Sequence, residues 1–450
     1  MDINLKGNKA KYIELYEEIT RLINSGELKS GTKLPSKRDL SIDLNVSLNT
    51  VINAYDLLID EGYIYSVEKK GYYVSDQSSI EIKPIAEPIT SKREDTYNYD
   101  FTTRNVESFN NTNYRKIVRS LLNDNEFLNK TDFNGDLGLR TAISDHLRLN
   151  RGINVSPDLI FISSGIESLR SVLRILNIDN ITLENPGYHK LAALAYNLSL
   201  KVNYIDVDEN GTMVPNNKTI LYTTPFNQFP TGIKMSIPRK KELLSFAERT
   251  DSYIIEDDFD AEFRIKEAPT TSLYTLSPLR VIFFSTFTMT LYPGLRISYF
   301  ILPPSIKDIY LHHYKGYSSN VPTLEQLALR DFIREGYYAS HINRRKKEYL
   351  RKREIIINYL KKNNIDVDEK KNYLSILINT NKDTDKIINN AKKRGLIADT
   401  LKNYDINNKD NGIIILGYTS IKEDDITKGL DILIEEIKAQ WWALFLTCCY

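Results

Sequence analysis

The chain has 450 residues, yet both tryptophans (Trp441, Trp442) and both cysteines (Cys448, Cys449) fall in its last ten positions. Positions 1–440 therefore hold no disulfide framework, no Cys-based zinc site and no Cys nucleophile. Charge of one sign is not in excess either. Lys and Arg number 60 against 59 Asp and Glu, a net charge of +1, which excludes a uniformly basic nucleic-acid coat and an acidic disordered chain. Any charged partner must be met by a local patch. Long apolar runs are also missing: none approaches the roughly 20 residues that span a bilayer, and MDINLKGNKAKY lacks the apolar stretch of a secretory signal. A soluble cytoplasmic protein with no membrane partner is expected. Methionine is scarce, with Met213, Met235 and Met289 the only internal ones. The last segment, residues 441–450, is apolar and unlike everything before it. It reads either as a docked terminal segment or as a scar of cloning or frame shift.

What is present divides unequally. Residues 77–98 contain two prolines, several Ser and Thr and mixed charges without an apolar period, which is linker composition. Residues 1–76 precede it, too few for most enzymes. In residues 99–440 short β-rich runs alternate with helical patterns, the signature of an α/β fold.

In the first part Leu15, Ile19, Leu22 and Ile23 recur at helical spacing, predicting an amphipathic helix that ends near Gly26. Pro35 halts the chain, Ser36 is placed to cap a second helix with Asp39 three residues on, and Leu40 and Leu44 face inward. After a short turn at Val46 and Ser47, Leu48 to Glu61 form a third helix with Val51, Tyr55 and Leu58 apolar. Two helices joined so tightly are a helix-turn-helix. YIYSV and GYYVS then suggest a β-hairpin wing with Gly71 at the bend and Lys69 and Lys70 at the tip. Composition alone leaves a solvated helical cap equally open, since the segment is not net basic. The order LKSGTKLPSKRDLSIDLNVSLNTVINAYDLLIDEGYIYS followed by GYYV, however, closely resembles the GntR-type winged helix. That resemblance implies double-stranded DNA as partner. It assigns the contacts to Ser36, Lys37 and Arg38, to Ser47, Asn49 and Thr50 at the start of the third helix, and to Lys69, Lys70, Gly71 and Tyr72 in the wing. Lys37 and Arg38 would hold phosphate, and Asn49 lies where a base edge is read.

Further on, FNGDLGLR (133–140), RGINVSPDLIFISSGIESL (151–169), ENPGY (184–188), TTPFNQFPTG (223–232), IIEDDFDAEFR (254–264) and STFTMTLYPGLRIS (285–298) follow in an order that resembles fold type I, pyridoxal-phosphate-dependent aminotransferases. Behind a GntR-type head this is the layout of the MocR subfamily of regulators. Ser163, Ser164 and Gly165 lead from a strand into a helix expected to begin near Ile166, where backbone N–H groups and a hydroxyl can cradle phosphate. Tyr188 follows Pro186-Gly187 and is placed to stack on a pyridine ring. The resemblance assigns the ring nitrogen to Asp257, and the remaining phosphate contacts to Thr286, Thr288 and Arg296.

Where the family carries the lysine that forms an imine with pyridoxal phosphate, this chain has Met289, and a thioether offers neither nucleophile nor base. Phe259 stands where the family has a Tyr hydroxyl on the ring oxygen, Asn227 where it often has His, and Ile415 where several members carry a carboxylate-binding Arg. These replacements point to a degenerate sensor pocket with no catalytic residue and no covalent cofactor. Its ligand would be non-covalent pyridoxal phosphate or another anionic metabolite. The resemblance further implies a homodimer. Two competing readings are an active aminotransferase with an accessory head, in which Lys234 or Lys266, both outside the matching motif, would replace the missing lysine, and a head that serves only dimerisation.

Overall fold

A computed structural model describes residues 3, 10–76, 97–102, 109, 111–263, 271–367 and 374–448. The chain divides into two compact units, Met1–Glu94 and Asp95–Tyr450. Residues 77–96, most of the expected linker, lie outside the described residues.

The first unit contains α1 (Lys11–Asn24), β1 (Lys33–Leu34), α2 (Lys37–Asp43), α3 (Leu48–Asp60), β2 (Ile64–Val67) and β3 (Gly71–Val74). Leu15, Ile19 and Ile23 of α1, Leu40 of α2, and Val51, Ala54, Tyr55 and Leu58 of α3 close into one apolar cluster with Ile64 and Val74 of the wing. Both short-turn helices start on a serine. Ser36 Oγ accepts from the Asp39 amide at 3.2 Å and donates to Asp39 Oδ2 at 2.6 Å, while Ser47 Oγ accepts from the Thr50 amide at 3.2 Å. The wing departs from expectation twice. Its bend falls on residues 68–70, with Lys69 in the left-handed region at φ +60° and Gly71 opening β3. A third strand, β1, pairs antiparallel with β3.

The second unit contains β4 (Tyr99–Phe101), α4 (Thr112–Asn123), α5 (Leu137–Arg151), β5 (Ile160–Ser163), α6 (Leu169–Ile175), β6 (Asn180–Asn185), α7 (Lys190–Asn197), β7 (Lys201–Asp208), β8 (Gly211–Thr212), β9 (Ile220–Thr223), α8 (Ile237–Thr250), β10 (Tyr253–Asp257), α9 (Leu273–Leu276), β11 (Val281–Thr286), β12 (Ser298–Ile301), α10 (Pro304–Tyr314), α11 (Thr323–Arg334), α12 (Tyr337–Lys362), β13 (Ser375–Asn379), α13 (Thr384–Lys393), β14 (Leu396–Thr400), β15 (Ile413–Gly417) and α14 (Ile426–Cys448). An eight-stranded sheet runs β5-β12-β11-β10-β9-β6-β7-β8. From β11 to β7 it is parallel, with β12 antiparallel to both its neighbours. Alternation explains how both faces are buried. Ile254, Val281 and Phe283 enter one apolar cluster, Ile255, Ile282 and Phe284 the other. A smaller sheet, β13-β15-β14-β4, follows, and α14 continues through residue 448 without a break at 440. No helix among the described residues is long and apolar enough to cross a membrane.

Candidate functional site

In the first unit the hydroxyls of Ser36, Ser47 and Thr50 are already engaged. The two serines cap their helices, and Ser47 Oγ and Thr50 Oγ1 are 2.8 Å apart. Lys37 is engaged as well. Its Nζ lies 2.8 Å from Asp56 Oδ1 of α3 and 5.3 Å from the centre of the Tyr72 ring. Tyr72 in turn packs edge-on against Tyr55, whose hydroxyl donates to the Pro35 carbonyl at 2.9 Å. Arg38, Asn49, Lys69 and Lys70 are exposed, and among the described residues none of the three cations forms an ion pair.

In the second unit the parallel strands end together, the usual place for a ligand crevice in such sheets. Register puts Ser163, Ser298 and Thr286 in one row across β5, β12 and β11, and Asp257 opposite Phe284. Among the described residues, four buried polar atoms along these ends make no hydrogen bond: Ser163 Oγ, Asn227 Oδ1, Asp257 Oδ1 and Thr288 Oγ1. Such atoms are costly without a partner, which makes these strand ends the candidate ligand site.

Asp257 ends β10. Its Oδ2 accepts from the Tyr222 hydroxyl of β9, and burial pushes its carboxyl up to about 7. Asn227 Nδ2 donates to Asp260 Oδ2 at 3.0 Å, and burial raises that carboxyl to about 8. The acid between them points to the opposite face of the sheet, where Asp258 takes both guanidinium nitrogens of Arg151 at 2.6 and 2.9 Å. Glu184 of the ENPGY segment fixes the loop carrying Asn227. It accepts from Thr212 at 2.5 Å, from the Thr223 and Thr224 hydroxyls at 2.7 Å, and from Gln228 at 3.1 Å. Gly187 allows this fold-back, since a Cβ there would stand 2.3 Å from the Glu184 carbonyl oxygen.

Tyr188 and Phe259 are both half-buried and meet edge-on against Phe229, each with 6.1 Å between ring centres. Thr286 Oγ1 accepts from Ser298 Oγ at 2.9 Å and from the Thr288 amide at 3.1 Å. Met289 is half-buried beside them. Arg296 is exposed, at φ +51° after the turn Pro293–Leu295.

The phosphate cradle differs from expectation. Gly165, at φ +86°, turns the chain into a 3₁₀ stretch at Ile166–Ser168, and α6 begins only at Leu169. The buried hydroxyls without a partner in this segment are those of Ser163 and Ser168, whereas Ser164 is half-buried. Lys234, a candidate to replace the missing lysine, is half-buried with its ammonium 5.8 Å from the Phe226 ring centre. Lys266, the other, lies outside the described residues. Ile415 is buried in β15, paired with Leu377 and Asp399. Tyr222, Asp260 and Phe229, which contact Asp257, Asn227, Tyr188 and Phe259, are not among the residues that the sequence singles out. Phe229 and Asp260 lie inside the TTPFNQFPTG and IIEDDFDAEFR segments and Tyr222 one residue before the first of these, but no local pattern marks them out.

A winged helix-turn-helix ahead of an aminotransferase-type α/β unit defines a DNA-binding transcriptional regulator. Residues 11–74 match the bacterial regulatory proteins of the gntR family. The HTH-type transcriptional regulator YdeL of Bacillus subtilis (strain 168) is 31% identical over 465 residues, spanning 98% of this chain and 100% of that one. A rhizopine catabolism regulatory protein of Rhizobium meliloti, MocR, is 27% identical over 76% of each chain. The crystal structure of an archaeal alanine:glyoxylate aminotransferase shares the fold, with a TM-score of 0.69 at 22% identity over 77% of this chain and 92% of that one. The chain belongs to the MocR subfamily of GntR-type transcriptional regulators.

Proposed function

We propose that the aminotransferase-like unit of this regulator is a non-catalytic sensor that holds an anionic small molecule without a covalent bond and adjusts operator binding. The observation that carries this reading is the set of unpartnered buried atoms at the strand ends, with Met289 standing where an amine is needed. The residues present fit pyridoxal phosphate as such a ligand. Asp257 would hold the ring nitrogen, and Ser163, Ser164, Thr286, Thr288 and Arg296 the phosphate. When bound, the pyridine ring would supply an electron sink. Phe259 offers that ring no hydroxyl and Met289 no proton acceptor, so recognition is what these side chains support.

In this reading two copies of the chain bind one operator in the cytoplasm, their heads on two half-sites. A ligand acts by binding one arrangement of the dimer more tightly than another. The test is operator affinity of the full-length protein with and without pyridoxal phosphate and a panel of anionic metabolites. At least one is expected to change it, and an affinity indifferent to all of them removes the sensing role. Borohydride reduction followed by mass spectrometry is expected to leave no pyridoxyl adduct on the chain. An adduct, or measurable amino-group transfer, would instead establish the enzyme.

A further inference from the structure

The recognition helix carries no positive charge. From Leu48 to Asp60, α3 reads LNTVINAYDLLID, without a Lys or Arg. Its inward face is accounted for by Val51, Ala54, Tyr55 and Leu58, all fully buried. The outward face of its first two turns is Leu48, Asn49, Ile52 and Asn53. Leu48 is 39% exposed, and neither it nor Ile52 belongs to the apolar cluster that holds this unit together. At a spacing of four residues, Leu48 and Ile52 form an apolar stripe and Asn49 and Asn53 an amide stripe beside it. Packing gives no reason for either. The cations lie to the sides: Lys37 and Arg38 on α2, Lys69 and Lys70 at the wing tip.

Flanking cations suit phosphates, and the two stripes suit one kind of base pair. In the major groove adenine presents the N7 acceptor and N6 donor that an Asn amide matches with two hydrogen bonds, thymine presents a methyl group that suits an apolar side chain, and guanine calls for Arg or Lys. Cytosine is met by an acid, but Asp56 is already ion-paired with Lys37 at 2.8 Å. In a helix-turn-helix the first residues of the second helix reach the bases.

We infer that α3 reads A·T base pairs, Asn49 and Asn53 on adenine and Leu48 and Ile52 on thymine methyl groups. Specificity then rests on four uncharged side chains, and the cations set register only. The inference rests on the head binding DNA, and its test separates the two.

Full-length protein is used to select duplexes from a random pool, and the best site is then remade with deoxyuridine in place of thymine. This removes the methyl groups and leaves the hydrogen bonds of each pair unchanged. The selected half-sites are expected to be A·T-rich where α3 lies. Deoxyuridine should weaken binding several-fold for the native chain and little for the Leu48→Ala, Ile52→Ala double variant. Asn49→Arg should bring guanine into the selected site, and Asn53→Ala should lower affinity for the native site about tenfold or more. Leu48, Asn49 and Asn53 are exposed and Ile52, half-buried, lies outside the apolar cluster, so the fold is kept, as circular dichroism can verify. Half-sites dominated by G·C, or a site bound equally well with deoxyuridine, overturn the inference while leaving DNA binding intact. Failure to retain any duplex at low salt overturns the DNA-binding role itself.

Discussion

At Asp257 the two carboxylate oxygens have different fates: one is held by the Tyr222 hydroxyl, the other is buried with no partner. Burial raises this carboxyl to about 7, against an ordinary value near 4. The folded chain therefore keeps a proton that the unfolded chain releases earlier. Its contribution to stability falls as pH rises from about 4 to about 7, by up to about 1.4 kcal/mol per pH unit, and the full penalty stands above that. Asn cannot titrate and can still accept from Tyr222. Asp257→Asn should thus raise the thermal midpoint of the ligand-free protein at pH 8 and change it little at pH 4. It should also abolish any thermal shift caused by a pyridine ligand. A variant less stable at pH 8 would mean that ionised Asp257 is stabilising and that burial does not penalise its charge.

Helices of the head show at the level of elements what is legible in a sequence. α1, α2 and α3 follow from apolar spacing and from Ser36 and Ser47, signals that act within one or two turns. Strand β1 has only two residues, too few for a period, and exists because β3 pairs with it. The start of α6 is equally hidden: SSGIESL reads as a helix from Ile166, but the left-handed turn at Gly165 delays it to Leu169. Within the site, the family resemblance singles out Asp257, and the apolar strand that ends on it agrees with that placement. Asn227–Asp260 and Arg151–Asp258 join positions 33 and 107 residues apart, and no local pattern encodes such pairs. A cap, by contrast, is a local device with a local cost. Ser47→Ala should destabilise the head by about 1 kcal/mol and raise amide exchange at Thr50, whereas Ser47→Asp, which can also cap, should leave exchange nearly unchanged. Unaltered exchange in the alanine variant would show that the Ser47 side chain does not hold that end of α3.

For the whole molecule, the net charge of +1 leaves no general attraction to DNA, and within residues 10–76 acids outnumber cations. Binding must then come from a few placed charges, and each phosphate neutralised adds about −0.9 to the slope of log affinity against log salt. Arg38, Lys69 and Lys70 are exposed and form no ion pair among the described residues, while Lys37 is tied to Asp56. The exposed ion pair is worth little to stability, about 1 kcal/mol at most, but it sets how many cations reach the DNA. Arg38→Ala should therefore make the slope shallower by about 0.9 per bound head, and Lys37→Ala should change it less. Asp56→Asn frees Lys37 and should steepen the slope by about the same amount, raising affinity for unrelated sequences more than for the selected site. Operator titrations between low and physiological salt measure all three. If Lys37→Ala and Arg38→Ala flatten the slope equally, the pair with Asp56 opens on binding and the head uses both cations on phosphate.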